Sequence, residues 1–355
     1  MKGNTCIVTG GAGFIGCAIS AGLVKRFDRV IAIDSMNPQI HPTSNRPQML
    51  SDGVELYMAD ICSKDTWVRV LDEIKGNFTV VHLAAETGTG QSLESSTLHT
   101  YTNVVGTSQM LDMFTELRRF PSQILLTSSR AVYGEGRWQK NDDGSYFYPG
   151  QRTDEQLRAQ QWDFPGAHYV QMRADWNVPM PSSVYGVTKL CQENLLSVWG
   201  RAMNVPVKIV RLQNVYGPGQ SLINPYTGIV SLFVRMAKKG KVIPLYEDGD
   251  IIRDFILIDD VARGILMDLD ADVGTDRVFD IGTGVANTIG DMARIIARRY
   301  NAPEPQVCGK YRNGDVRHAL CDSSLTEAEL GFRAEYSLEM GLERLCAWID
   351  SQLID

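Results

Sequence analysis

The stretch at 5–16, Thr-Cys-Ile-Val-Thr-Gly-Gly-Ala-Gly-Phe-Ile-Gly, constrains what this chain can fold into more than any other. A short apolar run, Cys6-Ile7-Val8, breaks into glycines, and apolar residues resume with helical spacing at Phe14, Ile15, Ala18 and Ile19. That order predicts a strand, a tight turn and a helix. Of Gly10, Gly13 and Gly16, one permits the turn, one lets backbone approach a pyrophosphate, and one lets the helix pack on the strand. The helix start would offer unpaired N–H groups and a positive dipole end to phosphate oxygens. A glycine triplet alone is weak evidence, and its spacing is G-x-x-G-x-x-G rather than G-x-G-x-x-G. Its context gives it force.

Up to about residue 130, apolar strands at 6–9, 29–33, 54–58, 80–83 and 123–127 alternate with helical patterns at 14–26, 64–74 and 100–116. This alternation predicts an α/β chain with a Rossmann-type doubly wound parallel sheet. Asp34 ends the second strand, where an acid can accept both hydroxyls of an adenosine ribose and repels a 2′-phosphate. It points to NAD rather than NADP, although a strand-end acid can also cap a turn. Phe14 and Ile15 join the glycines in the expected cofactor set. Asp60-Ile61 follows the third strand, where an adenine edge would lie. Leu83-Ala84-Ala85 closes the fourth with small residues that admit a cofactor. Each of these alone is equally compatible with plain packing. Asn103 sits mid-helix, where asparagine is mildly unfavourable; a buried polar tie is one explanation and a place in the cofactor set another.

Ser129 ends the fifth strand at the carboxyl edge, where ligands of open α/β sheets bind. Further on, Tyr185-Gly-Val-Thr-Lys189 leads into a helical pattern at 187–203. Residues four apart share a helix face, and a lysine held near a phenol lowers its pKa towards that of a usable base. By itself the spacing is commonly a solvated pair. Behind a nucleotide fingerprint and a serine-ended strand it predicts chemistry on a hydroxyl.

Composition sets outer bounds. The net charge of −7 argues against non-specific nucleic-acid binding. No apolar run reaches the roughly 18 residues that mark a membrane span. The seven cysteines form no C-x-x-C or Cys/His cluster, so neither metal nor a disulfide framework is expected, and a reducing cytoplasm is the expected compartment. With 355 residues the chain is one large or two moderate domains.

Nine segments belong together: Thr9-Gly-Gly-Ala-Gly-Phe-Ile-Gly16, Asp60-Ile61, Leu83-Ala84-Ala85, Asn103-Val-Val-Gly-Thr107, Ser128-Ser129-Arg-Ala-Val-Tyr-Gly134, Tyr185-Gly-Val-Thr-Lys189, Arg211-Leu-Gln-Asn-Val-Tyr-Gly-Pro-Gly219, Arg253-Asp-Phe255 and Asp259-Asp-Val261. As a set they resemble the extended short-chain dehydrogenase/reductase superfamily, in its NAD-dependent nucleotide-sugar epimerase/dehydratase branch, over almost the whole chain. The resemblance implies Tyr185 as catalytic base, Lys189 as its pKa-lowering and ribose-binding partner, and Ser129 as the hydroxyl on the sugar oxygen. It implies Gln213 beside the nicotinamide, and Asn214, Arg253 and a companion, Arg312, at the substrate diphosphate. Thr89, Arg130 and Phe233 complete the expected substrate side, with Phe233 near the nucleotide base. Family members usually pair through two helices, here 92–117 and 185–203, so a homodimer is implied.

Departures from the family pattern narrow the reaction. The branch's dehydratases carry an Asp-Glu pair directly after the catalytic hydroxyl, its decarboxylases a Glu, and its 3,5-epimerases a cysteine at the position of Ala131. This chain has Arg130-Ala131. Ser, Tyr, Lys and NAD remain, enough to oxidise a ring hydroxyl and return the hydride to the other face, which is 4-epimerisation. The phrase at 211–228, with Ser-Ser-Arg-Ala-Val-Tyr-Gly-Glu-Gly136, resembles the subgroup acting on dTDP-6-deoxyhexoses such as dTDP-L-rhamnose. A nucleotide-sugar reductase or dehydrogenase, or a 2-epimerase, would use the same residues. A non-catalytic NAD-binding module is the alternative of a different class.

The interval 135–184 is about twice the length the family usually places there, and it is rich in Trp, Tyr and Pro. It reads as a flap over the active site, with Arg130 and Trp138 near the sugar, or as an aromatic-anchored surface excursion. Beyond Gly219 the expectations are a helix at 229–239, a hairpin at 242–250, strands at 253–258 and 278–281, a capping box Ser324-x-x-Glu327, and a helix at 338–353 with Leu338, Leu342, Leu345 and Ile349 on its core face. The expected division is an NAD-binding domain at 1–216 plus about 255–285, and a nucleotide-sugar-binding domain at 217–254 and 286–355. Substrate would lie in the cleft between them.

Overall fold

The computed structural model describes residues 4–224, 228–272, 274 and 277–352. Seven parallel strands form its central sheet: Thr5–Thr9, Arg29–Asp34, Val54–Met58, Phe78–His82, Gln123–Ser129, Val207–Leu212 and Arg277–Ile281. The first strand lies between the second and the fourth, so chain order reverses across it and leaves a crevice at the carboxyl edge. All five residues of Thr5–Thr9 are buried, as a strand covered on both faces requires.

Two apolar cores flank the sheet. On one face helices Phe14–Val24 and Ile258–Asp270 pack over Val8, Leu125, Val210 and Ile281. On the other, Trp67, Phe114 and Leu196 cover Ile7, Val80, Ile124 and Ile209. A third core gathers Tyr216, Phe233, Phe255, Met292, Leu342 and Ile349 from the later part of the chain.

Several elements differ from the sequence reading. The helix expected at 100–116 is α-helical only from Gly106 to Glu116; Tyr101–Val105 forms a π-turn that carries Asn103 inward. The Tyr185 helix starts at Val184, because the Ser183 hydroxyl accepts from the Gly186 amide and caps it. No hairpin forms at 242–250. Pro244–Leu245 pairs in parallel with Gln306–Val307, and Ile252–Arg253 pairs with Asn287–Thr288 and His318–Ala319. The capping box at 324 is also absent, since helix Ser324–Leu330 is preceded by Ser323 and the Ser324 amide donates to Asp322 Oδ1. Helix Leu338–Ser351 buries Leu338, Leu342, Leu345 and Ile349 as expected. Leu353, and residues 225–227 of the 211–228 phrase, lie outside the described residues.

The 135–184 interval is folded. Trp138–Lys140 pairs antiparallel with Tyr146–Phe147 and with Ala167–Tyr169, and helix Asp154–Arg158 begins with a complete Thr153–Gln156 capping box. Trp138, expected near the sugar, is 1% exposed and packs edge-on against Phe164. Packed against Phe164 and His318, that ring has no face left for a ligand.

Candidate active site

A cavity of about 270 Å³ opens at the carboxyl edge above the glycine turn. Its floor is Gly10, Gly13, Phe14, Ile15 and Gly16, and Asp34, Asp60, Ile61, Leu83, Ala84 and Ala85 line its sides. Gly10 has φ +67°, and a Cβ there would meet the Ala84 amide nitrogen at 2.8 Å. A Cβ on Gly16 would lie 2.4 Å from the Gly11 carbonyl oxygen. The turn thus brings backbone against backbone as a pyrophosphate cradle needs. Asp34 is largely buried; Oδ2 accepts from the Ala12 amide at 3.0 Å and Oδ1 from the Met36 amide at 2.9 Å. Each oxygen keeps a further lone pair for a ribose hydroxyl. These residues fit NAD.

A strap covers this cavity that the sequence reading did not single out. Gln39 and Gln91 exchange amide hydrogen bonds at 3.0 and 2.9 Å, Asn37 donates to Glu86, and Ser221 donates to the Ile40 carbonyl. His41 stands 3.6 Å from Asp34 and also lines the cavity. Residues 35–41 have no periodic pattern that could have marked them. Asn103 is not among the lining residues. It is fully buried, donates to the Glu86 carbonyl and to Thr188 Oγ1, and accepts from the Glu86 amide. It is the polar tie, holding the Glu86 wall from behind.

Ser129 and Tyr185 meet at the end of the fifth strand, and Lys189 follows four residues on in the Tyr185 helix. The Ser129 hydroxyl faces the Tyr185 phenol and lowers its pKa, and it also accepts from the Ala131 amide. The expected effect of Lys189 on Tyr185 takes a different form here. Burial raises the Tyr185 pKa, and the influences that pull it down are Ser129 and the Arg130 guanidinium. Lys189 is itself pushed down to about 7 by burial, with Glu193 pulling it back up. Its ammonium donates to Gln192 Oε1. Beneath the trio, Glu193 holds Arg211 bidentately at 3.0 and 2.7 Å and accepts from the Ser128 hydroxyl. This buried pair fixes the strand end that presents Ser129.

Two arginines stand beside this trio. Arg130 Nε donates to Asn214 Oδ1 at 3.0 Å. Arg253 is nearly buried and donates to the carbonyls of Ile252, Val316 and Arg317. Burial and then the Arg130 charge lower Arg253 to about 9, whereas Asp315, Glu135 and Glu247 pull it up. Among the described residues neither arginine forms an ion pair. Arg253, buried and held only by backbone carbonyls, and the half-buried Arg130 beside it make a cationic pair that a diphosphate would satisfy. Gln213 is 4% exposed with neither carboxamide atom hydrogen-bonded, an arrangement buried amides avoid unless a ligand completes it.

Thr89 and Arg312 line a second cavity, of about 600 Å³, with Ser182, Tyr311 and Asp315. Arg312 is exposed and stacks over the Tyr246 ring at 5.2 Å. Phe233, expected near the nucleotide base, lies instead in the third core with Tyr216 and Val234, because its helix turns that apolar face inward.

Comparison with known proteins agrees with this geometry. The NAD dependent epimerase/dehydratase family matches residues 167–282, and the GDP-mannose 4,6 dehydratase family matches residues 7–151. A dTDP-L-rhamnose 4-epimerase of Burkholderia thailandensis is 53% identical over 99% of this chain and 97% of its own length. A UDP-glucose 4-epimerase of Thermotoga maritima, solved with UDP-glucose, superposes with a TM-score of 0.79 at 24% identity over 98% of both chains. A UDP-glucuronic acid 4-epimerase of Bacillus cereus, solved with UDP-glucuronic acid and NAD, gives 0.78 at 24% identity over 98% of this chain and 99% of its own. With its glycine turn, its Ser-Tyr-Lys trio and a relative this similar over nearly full length, the chain belongs to the NAD-dependent epimerase/dehydratase family of the extended short-chain dehydrogenase/reductase superfamily.

Proposed function

We propose that this enzyme inverts C4 of a nucleotide-diphosphate sugar, with a dTDP-6-deoxyhexose such as dTDP-L-rhamnose as substrate. The observation that carries the reading is the Ser129–Tyr185 contact with Arg130 and Ala131, not acids, following it. Loss of water needs an acid and a base beside the hydroxyl; reversible oxidation needs only the base. The similarity to a dTDP-L-rhamnose 4-epimerase supports the substrate.

NAD, when bound, supplies the hydride acceptor and later the hydride donor. Tyr185, ionised, takes the proton of the sugar 4-hydroxyl as C4 is oxidised. Ser129 holds that oxygen and shortens the proton's path, and Lys189 adds positive charge next to the phenolate. Arg130, Arg253 and Asn214 hold the diphosphate while the 4-keto sugar turns its other face to the cofactor. Tyr185 then returns the proton to the new hydroxyl.

Incubation with dTDP-, UDP-, GDP- and CDP-sugars, followed by product NMR, tests the proposal. A C4-inverted sugar with no net NADH is the expected result. Net NADH formation or consumption would identify a dehydrogenase or reductase instead.

Three further readings belong to this proposal. Leu93, Leu98, Tyr101 and Val105 are exposed on the 89–116 segment, as are Val187 and Val198 on helix Val184–Met203, and we assign these faces to a homodimer contact. We assign 1–216 with about 255–285 to cofactor binding, and 217–254 with 286–355 to the nucleotide sugar; the third core draws mainly on the latter. Seven free thiols suit a reducing cytoplasm, and no helix among the described residues is long and apolar enough to cross a membrane.

A further inference from the structure

The long interval at 135–184 grips one particular loop. Arg152, its side chain 1% exposed, sits at the centre of the grip. It donates to the Trp162 carbonyl within the interval and pairs with Glu247 at 2.9 Å and with Glu135 at 3.4 Å. Its remaining Nη2 donor goes to the Asp315 carbonyl at 2.9 Å. Asp163 receives His318 Nε2 at 2.8 Å and Arg317 Nε at 3.1 Å. The Ser182 hydroxyl donates to the Gly314 carbonyl, and the Trp162 ring lies 6.2 Å from that of Tyr311.

These contacts converge on residues 311–318. That loop supplies Tyr311, Arg312 and Asp315 to the second cavity, and Arg253 holds its Val316 and Arg317 carbonyls from the opposite side. Its short strand His318–Ala319 provides little ladder pairing of its own. Placement of the cavity wall therefore depends on side chains donated from the interval.

We propose that the interval is a brace that sets the substrate loop, with Arg152 as its central positioning residue. By holding Asp315 through its carbonyl it fixes where Arg312 and Asp315 meet the nucleotide sugar. The interval thus governs substrate affinity and selectivity without touching the reacting atoms. A guanidinium with five donors suits the task, since from one buried point it can bond Glu247 and two carbonyls while its charge faces Glu135. The assignment of the ligand rests on the function proposed above; the bracing contacts do not.

Two variants test it in the full-length enzyme. Arg152→Met removes the hub, and Trp162→Ala removes the ring beside Tyr311 while leaving every ion pair intact. Hydrogen–deuterium exchange of amides 309–318 should accelerate in both, with amides 5–16 unchanged. KM for dTDP-L-rhamnose should rise about tenfold in Arg152→Met, with kcat moving less than KM. Unchanged exchange at 309–318 in the folded variants would overturn the brace whatever the substrate. Faster exchange with an unaltered KM would overturn its role in substrate affinity. If wild type turns over no dTDP-sugar, the substrate reading fails, while exchange still decides the brace.

Discussion

Lys189 donates its ammonium proton to Gln192 Oε1 at 2.7 Å, and both side chains are buried. The orientation of that amide is fixed from behind. Thr107 spends its own proton on the Asn103 carbonyl at 2.6 Å, so it can only accept from Gln192 Nε2. With the nitrogen committed to Thr107, the oxygen must face Lys189. The chain continues from Thr107 to His82 and on to Thr9, the last residue of the first strand. His82 is held neutral by burial, its pKa lowered to about 3, so the whole relay is uncharged apart from Lys189.

Gln192 should therefore govern the protonation of Lys189. Gln192→Met removes the acceptor of an already destabilised ammonium, and the lysine pKa should fall below its burial-lowered value of about 7. The pH above which kcat declines should move lower, with kcat at neutral pH down about tenfold. Gln192→Glu should move it higher. A pH–rate profile of both variants checks this, and superimposable profiles would count against it.

Tyr185→Phe removes the base while leaving the Ser129 hydroxyl and the glycine-turn cavity in place. Turnover should fall by about 10²–10⁴-fold with NAD content unchanged. Rapid sugar turnover in that variant, measured by NMR, would require another base.

Arg130 is given two effects by its position: it pulls down the Tyr185 pKa and adds charge opposite Arg253. Arg130→Met should therefore raise KM for the nucleotide sugar and move the acid limb of kcat/KM to higher pH. Arg253→Met should raise KM alone, because no influence of Arg253 on Tyr185 accompanies its place in the anion site. If the two variants behave alike in pH dependence, Arg130 acts only as a diphosphate ligand.

The residues legible in the sequence are those whose chemistry is written in local spacing. Gly10 to Gly16, Asp34, Ser129 and Tyr185–Lys189 each sit at a strand end or within the first two turns of a helix, so chain geometry alone delivers them to one edge. The place of Phe233 is not legible, because an apolar residue on an amphipathic helix can face either a ligand or a core, and the packing that decides comes from Tyr216 and residues far along the chain. Arg152, Glu135 and Glu247 could not be recognised as a buried group, since 95 residues separate Arg152 from Glu247. Gln192 lies one position from Glu193 in a helix and carries no motif. Only the fold brings it against Lys189.

Stability should respond to pH through Asp280. This carboxyl is buried, accepts both contacts of the Tyr133 hydroxyl at 2.9 Å and receives the Ala174 amide, which ties the 135–184 interval to the last sheet strand. Burial raises its pKa from 3.8 to about 7, against the lowering pull of Arg211, Tyr133 and Ala174. The folded state thus binds a proton that the unfolded chain releases near pH 4, and the contribution is fully present below that pH. It is lost as pH rises through about 7. Asp280→Asn keeps an acceptor for Tyr133 but cannot titrate. Between pH 5 and pH 8 the Tm of the wild type should therefore fall relative to that of Asp280→Asn. Parallel melting curves over that range would show that Asp280 is ionised in the fold, its charge carried by Arg211 across the Tyr133 ring.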